Sequence, residues 1–259
     1  MAPNAPNHVL LEICATSLDY AVAAQRAGAD RIELCSDLDC GGVTPSARLM
    51  KAAREQLQIP VHVLIRPRPG DFVYSAREFS TMRQSIQTTK DLKMDGIVVG
   101  ILDRNSHVDV ARTRQLVELA QPLPVTFHRA FDETDSLRDS LEAVIRTGAE
   151  RLLTSGGRSK ATAALSTLAQ LVNEANDRLI VMPGSGITPA NIGRVVQVTS
   201  AREVHGTLLT PALRRENQKA EKGRKEDEKK KDPDRRSQIE RYYRRVLKAA
   251  LMLQSITTS

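Results

Sequence analysis

A chain of 259 residues that is 41% hydrophobic, 27% charged and 3% aromatic, with no Trp, is long enough for one α/β barrel with an aliphatic core. No apolar run nears the roughly 20 residues of a membrane span, the start "MAPNAPNH" lacks a secretion signal, and three cysteines make no disulfide framework, so free thiols in a reducing cytosolic or nuclear compartment are expected. The net charge of +7 is local rather than spread: residues 214–236 hold eleven Lys/Arg against seven Asp/Glu, which argues against a nucleic-acid-binding face.

"VLLEICA" (9–15) predicts a strand and "SLDYAVAAQRAG" (17–28) a helix, with Ser17 at the N-cap and Gly28 just past the end. "DRIELCS" (30–36) is the second strand, followed by a helix in "TPSARLMKAAREQLQ" with Thr44 as cap and Pro45 at its first position. "PVHVLIRPR" (60–68) precedes a helix at 75–93, "GIVVGIL" (96–102) one at 109–120, and "PVTFHRAFD" (124–132) one at 135–147. "RLLTSGG" (151–157) precedes a helix at 161–176, "RLIVMPGSGIT" (178–188) one at 189–199, and "EVHGT" (203–207) is the eighth strand. The densely charged stretch 210–234 reads as a solvated loop or fraying helix, with a nuclear-localisation reading of "EKKKDPDRR" weakened by its acids. The amphipathic "RRSQIERYYRRVLKAALMLQ" closes the chain.

Eight apolar strands alternating with helices predict a parallel sheet closed into a single (β/α)8 TIM barrel spanning residues 8–259. The open dinucleotide-binding alternative lacks G-x-G-x-x-G after the first strand, where "ICATS" stands.

Barrel sites lie at the C-terminal ends of the strands. Strand parity puts Glu12 with Cys14, Glu33 with Cys35, and His62 with Leu64 and Arg66. His128, Arg129 and Asp132 follow strand five, and His205 lies on strand eight. A glutamate in an aliphatic strand is costly without a partner, so Glu12 and Glu33 are expected to face inward and meet Arg66, Arg129 or His128. The resulting cluster of Glu12, Glu33, Arg66, His128 and His205 reads either as an ion-pair plug or as a ligand site. Gly184, Ser185 and Gly186 after strand seven suit an anion, with Arg66 and Arg129, although such glycines also serve plain tight turns. Cys14 and Cys35 on adjacent strands could share a soft ion such as Cu(I), or Zn(II) with added His, and could equally be small core hydrophobes.

The motifs "LEIC" (11–14), "GADRIELCSDL" (28–38), "GGVTPS" (41–46), "IRPRPGDFVYS" (65–75), "GIVVGIL" (96–102), "PVTFHRAFD" (124–132), "LTSGG" (153–157) and "MPGSGIT" (182–188) together resemble the CutC family, named for copper homeostasis. The resemblance implies a TIM barrel and a Cu(I)-binding role, which falls on Cys14 and Cys35 in this chain. The alternative is a barrel enzyme on a small anionic or phosphorylated substrate, held by Arg66, Arg129 and residues 184–186, with Glu12, Glu33, His128 or Asp132 for acid–base work. A third reading is a scaffold whose charged tract recruits a partner. Association into a homo-oligomer is also expected of a barrel this size.

Overall fold

In the computed structural model, which describes residues 8–210, 212–213 and 233–257, eight short parallel strands form one sheet. They are β1 (Leu10–Ala15), β2 (Arg31–Leu34), β3 (Val61–Leu64), β4 (Gly96–Val99), β5 (Val125–Phe127), β6 (Arg151–Thr154), β7 (Ile180–Pro183) and β8 (Glu203–Gly206). Hydrogen-bonded ladders run from β8 through β1 to β7 in order. β7 and β8 pack side by side, where a Cβ on Gly184 would lie 3.4 Å from that of His205, so the barrel is nearly closed.

The strands end earlier than the apolar runs suggest, because each run carries on into the loop at the barrel mouth. "PVTFHRAFD" contributes three residues to β5, and Arg129–Glu133 then turn as a 3-10 helix.

The outer layer comprises α1 (Leu18–Arg26), α2 (Ala47–Gln56), α3 (Ala76–Asp91), α4 (Val110–Ala120), α5 (Leu137–Thr147), α6 (Leu165–Ala175), α7 (Ile192–Thr199) and α8 (Pro233–Thr257). Ser17 caps α1 as expected, accepting from the Tyr20 N–H, and Ser75 with Glu78 forms a capping box on α3. The cap of α2 is Ser46, not Thr44. The Thr44 hydroxyl is engaged with the loop after β3 instead: it accepts from the Arg66 N–H at 2.8 Å and donates to the Arg66 carbonyl at 3.1 Å.

α8 packs on α1 and α7, with Tyr20 and Tyr242 edge-to-face at 4.7 Å, and completes the helical ring. Most of the charged stretch 210–234, including the start of the "EKKKDPDRR" segment, lies outside the described residues. Among the described residues no helix is long and apolar enough to cross a membrane.

Alternation along the strands separates two interiors. Ile13, Ile32, Val63, Ile97 and Phe127 face the helices and form the main core with Tyr20, Met82, Leu116 and Leu141. Inside the barrel the apolar filling is small, with one cluster of Cys14, Cys35, Leu64 and Val98 and, on the far side, Leu153 and Met182. Polar side chains occupy much of the rest.

Candidate metal centre and the cavity above it

The ladders determine which inward residues meet. β1 pairs with β2 so that Glu12 stands opposite Arg31 and Cys14 opposite Glu33. On the other side Glu12 is level with His205 of β8, and Glu33 is level with His62 of β3. The two Glu-x-Cys motifs are therefore staggered by one pleat, and each carboxylate meets a different neighbour.

The lower level is an ion-pair plug. Arg31 is 3% exposed and donates through Nε to Glu12 at 2.5 Å and through Nη2 to Glu203; Arg151 reaches Glu203 at 3.1 Å. Burial opposes ionisation of Glu12, but the Arg31 charge and the His205 hydrogen bond outweigh it and hold its carboxyl well below the usual carboxylate range. An ionised carboxylate can only accept. The 2.7 Å contact with His205 Nδ1 is thus an N–H donation, which places the lone pair of the neutral ring on Nε2. Burial also works against charge on His205, yet the carboxylates of Glu33 and Glu12 raise its pKa overall. His62 packs over Gly96, where an added Cβ would come within 2.4 Å of the ring, and burial lowers its pKa to about 4.

One level up, the Sγ atoms of Cys14 and Cys35 are 3.3 Å apart. Their hydrogen bond, and then burial, push the Cys14 thiol well above its ordinary pKa. Cys35 is 0% exposed and is covered by Gly42, which sits against both its side chain and Leu64. Cys14 faces the open side. Its Sγ lies with a carboxylate oxygen of Glu33 and a ring nitrogen of His205 in a group whose ligand atoms are all within 4.8 Å of one another. Burial raises the Glu33 pKa, and Glu33 Oε2 has no hydrogen-bond partner among the described residues.

Above these atoms opens a cavity of about 1120 Å³, lined by Cys14, Glu33 and His205 and, from the loops, by Arg66, His128, Arg129, Asp132, Ser185 and Gly186. Glu12, Cys35 and Gly184 stand behind its wall. Several of the polar groups at the mouth hold loops together. Arg66 donates through Nη1 to the carbonyls of Cys40 (2.9 Å) and Gly42 (2.8 Å), and through Nη2 to that of Gly70 (2.6 Å), clamping the loops after β2 and β3. Asp132 accepts from Thr154 Oγ1 at 2.6 Å, from the backbone N–H groups of Ser155 and Gly157 at 3.0 Å, and from Arg129 Nε at 2.9 Å. Ser185 donates to the Ser159 carbonyl at 2.7 Å. Glu12 meets His205, a member of the expected cluster, and Arg31, rather than Arg66, Arg129 or His128. Arg31, Arg151 and Glu203 escaped the sequence reading, although Arg31 shares the parity of Glu33 and Cys35 and Glu203 that of His205.

The sequence profile of the CutC family matches residues 9–210. The chain belongs to the CutC family. A CutC family protein of Chromobacterium violaceum is 47% identical over 198 residues, covering 76% of this chain and 80% of that protein. The human copper homeostasis protein cutC homolog is 45% identical over 201 residues, 78% of this chain and 74% of the human one. The crystal structure of CutC from Streptococcus agalactiae superposes with a TM-score of 0.74 at 35% identity, covering 78% of this chain and all of that one. A thiamine phosphate pyrophosphorylase from Pyrococcus furiosus, at 15% identity and a TM-score of 0.58, shares the fold alone. The CutC match stops at the edge of the charged stretch, so α8 lies outside it.

Proposed function

We propose that this CutC protein handles copper by binding Cu(I) between Cys14 and Cys35 in a reducing, cytosolic or nuclear compartment. The carrying observation is the 3.3 Å contact between two buried sulfurs, one of which faces an open cavity. Two metal–sulfur bonds to a shared ion span more than the 3.3 Å that now separates the sulfurs, so the pair opens to admit one. Thiolates are soft donors that select Cu(I) over harder divalent ions. The ion also takes over from the proton that Cys14 otherwise keeps. The name of the human relative supports the reading.

The test is an anaerobic Cu(I) titration against a competing chelator, comparing the natural chain with Cys14→Ser/Cys35→Ser. About one tightly held equivalent per chain is expected, with affinity falling by at least ~100-fold in the double variant. Unchanged stoichiometry and affinity would remove the proposal.

A further inference from the structure

Cys14 belongs to two donor sets. One is the sulfur pair with Cys35. The other is Cys14 with Glu33 and His205, the one group of three potential metal ligands among the described residues. The two sets differ in chemistry and in access. Cys35 is sealed beneath Gly42, whereas Cys14, Glu33 and His205 all line the cavity.

The second set has features that a core plug does not need. Glu33 is 6% exposed and its Oε2 has no partner among the described residues, which is costly for a buried acceptor beside a cavity. His205 is held by Glu12 through Nδ1, so its Nε2 lone pair is the one left to bind. A carboxylate behind a metal-binding imidazole fixes ring and tautomer in this way at many zinc sites. One thiolate, one carboxylate and one imidazole form a mixed donor set, suited to a borderline divalent ion. Zinc bonds of 2.0–2.3 Å at tetrahedral angles place ligand atoms about 3.3–3.8 Å apart. Reaching that from within 4.8 Å asks for roughly 1 Å of movement, which rotation of the Glu33 side chain can supply.

From this geometry we infer a second metal site, for a divalent transition ion of the Zn(II) type, ligated by Cys14, Glu33 and His205. Because all three ligands line the cavity, the fourth tetrahedral position opens into it. Three protein ligands and an open position are the pattern of a catalytic rather than a structural zinc site, with water or an anionic oxygen as the fourth ligand. The site does not depend on the copper reading. The two ions share Cys14 and therefore exclude each other.

Co(II) is the probe, because a thiolate–Co(II) charge-transfer band and tetrahedral d–d bands report the ligands directly. The natural chain is expected to show both, and Zn(II) to bleach them. Cys35→Ser is expected to keep the bands while losing Cu(I). Glu33→Gln and His205→Gln are expected to weaken Co(II) by at least ~100-fold while Cu(I) binding stays. Absence of a thiolate band in the natural chain overturns the inference, as does Glu33→Gln binding Co(II) undiminished. Loss of Co(II) in Cys35→Ser in step with Cu(I) overturns it too, since a single dithiolate site would then serve both ions. Failure of Cu(I) binding with the Co(II) bands intact overturns the copper proposal alone.

Discussion

Cys14 of β1 and Glu33 of β2 face each other on one rung of the ladder, while Glu12 stands a rung below against Arg31. This stagger divides four similar residues into four situations. Glu12 is an ionised partner of Arg31 and His205, and Glu33 turns one oxygen, Oε2, to the cavity with no partner among the described residues. Cys14 is a reachable sulfur, and Cys35 a covered one.

Arg31 is the only cation bonded to both Glu12 and Glu203 among the described residues. Arg31→Met leaves two buried carboxylates short of a partner, and breaking a buried pair in this way costs roughly 3–5 kcal/mol. A matching fall in stability from urea denaturation is expected. A loss below about 1 kcal/mol would show that the plug tolerates the missing charge.

Stability is expected to fall on acidification because of His128. Burial, followed by the charges of Arg66 and Arg129, lowers its pKa to about 3, against an ordinary value of 6.5. Below pH 6.5 the unfolded chain takes up a proton that the folded ring refuses, so folding weakens progressively as pH drops from 6.5 toward 3. At about 1.4 kcal/mol per pH unit, this one ring accounts for several kcal/mol. Urea midpoints between pH 7 and 4 should slope less steeply in His128→Gln than in the natural chain.

Thiol reactivity should follow cover. Cys40 is partly exposed at the loop, whereas Cys35 is sealed beneath Gly42. Iodoacetamide labelling followed by mass spectrometry is expected to modify Cys40 first and Cys35 last. Arg66→Leu removes the clamp on the Cys40 and Gly42 carbonyls and should speed Cys35 labelling by about tenfold or more. An unaltered Cys35 rate would mean that the loop stays shut without Arg66.

Gly100 gives His128 its room: an added Cβ would lie 2.3 Å from Nδ1. Gly100→Ala should push the ring off the Ala130 N–H that it accepts at 3.1 Å. The ring nitrogen chemical shifts of His128, which report its tautomer, are expected to change with the substitution. Identical shifts would show that the backbone gives way instead.

Much of this was readable in the chain. The barrel follows from eight repeats of a short apolar run and a capped helix, and parity with the cost of burying a lone glutamate turned Glu12, Cys14, Glu33 and Cys35 inward together. Register was not readable, because a parallel ladder is a relation between two strands distant in sequence. Glu12 therefore found Arg31, which was not singled out, beside His205, which parity had placed in the same cluster. Arg66 and Arg129 looked like free cations for a ligand. Their partners are largely loop carbonyls and a carboxylate three residues on, and the carbonyls leave no mark in the side-chain sequence.

The sulfur–sulfur contact has a kinetic meaning as well. Two thiols already touching offer an arriving ion no opening between them. On the copper reading, it must first attach to Cys14 from the cavity side, expel a proton, and only then wedge toward Cys35. Loading becomes a two-step exchange, with an intermediate held by one sulfur and by whatever accompanied the ion inward. On the same reading, the uptake rate should depend on what accompanies the ion as well as on the concentration of metal.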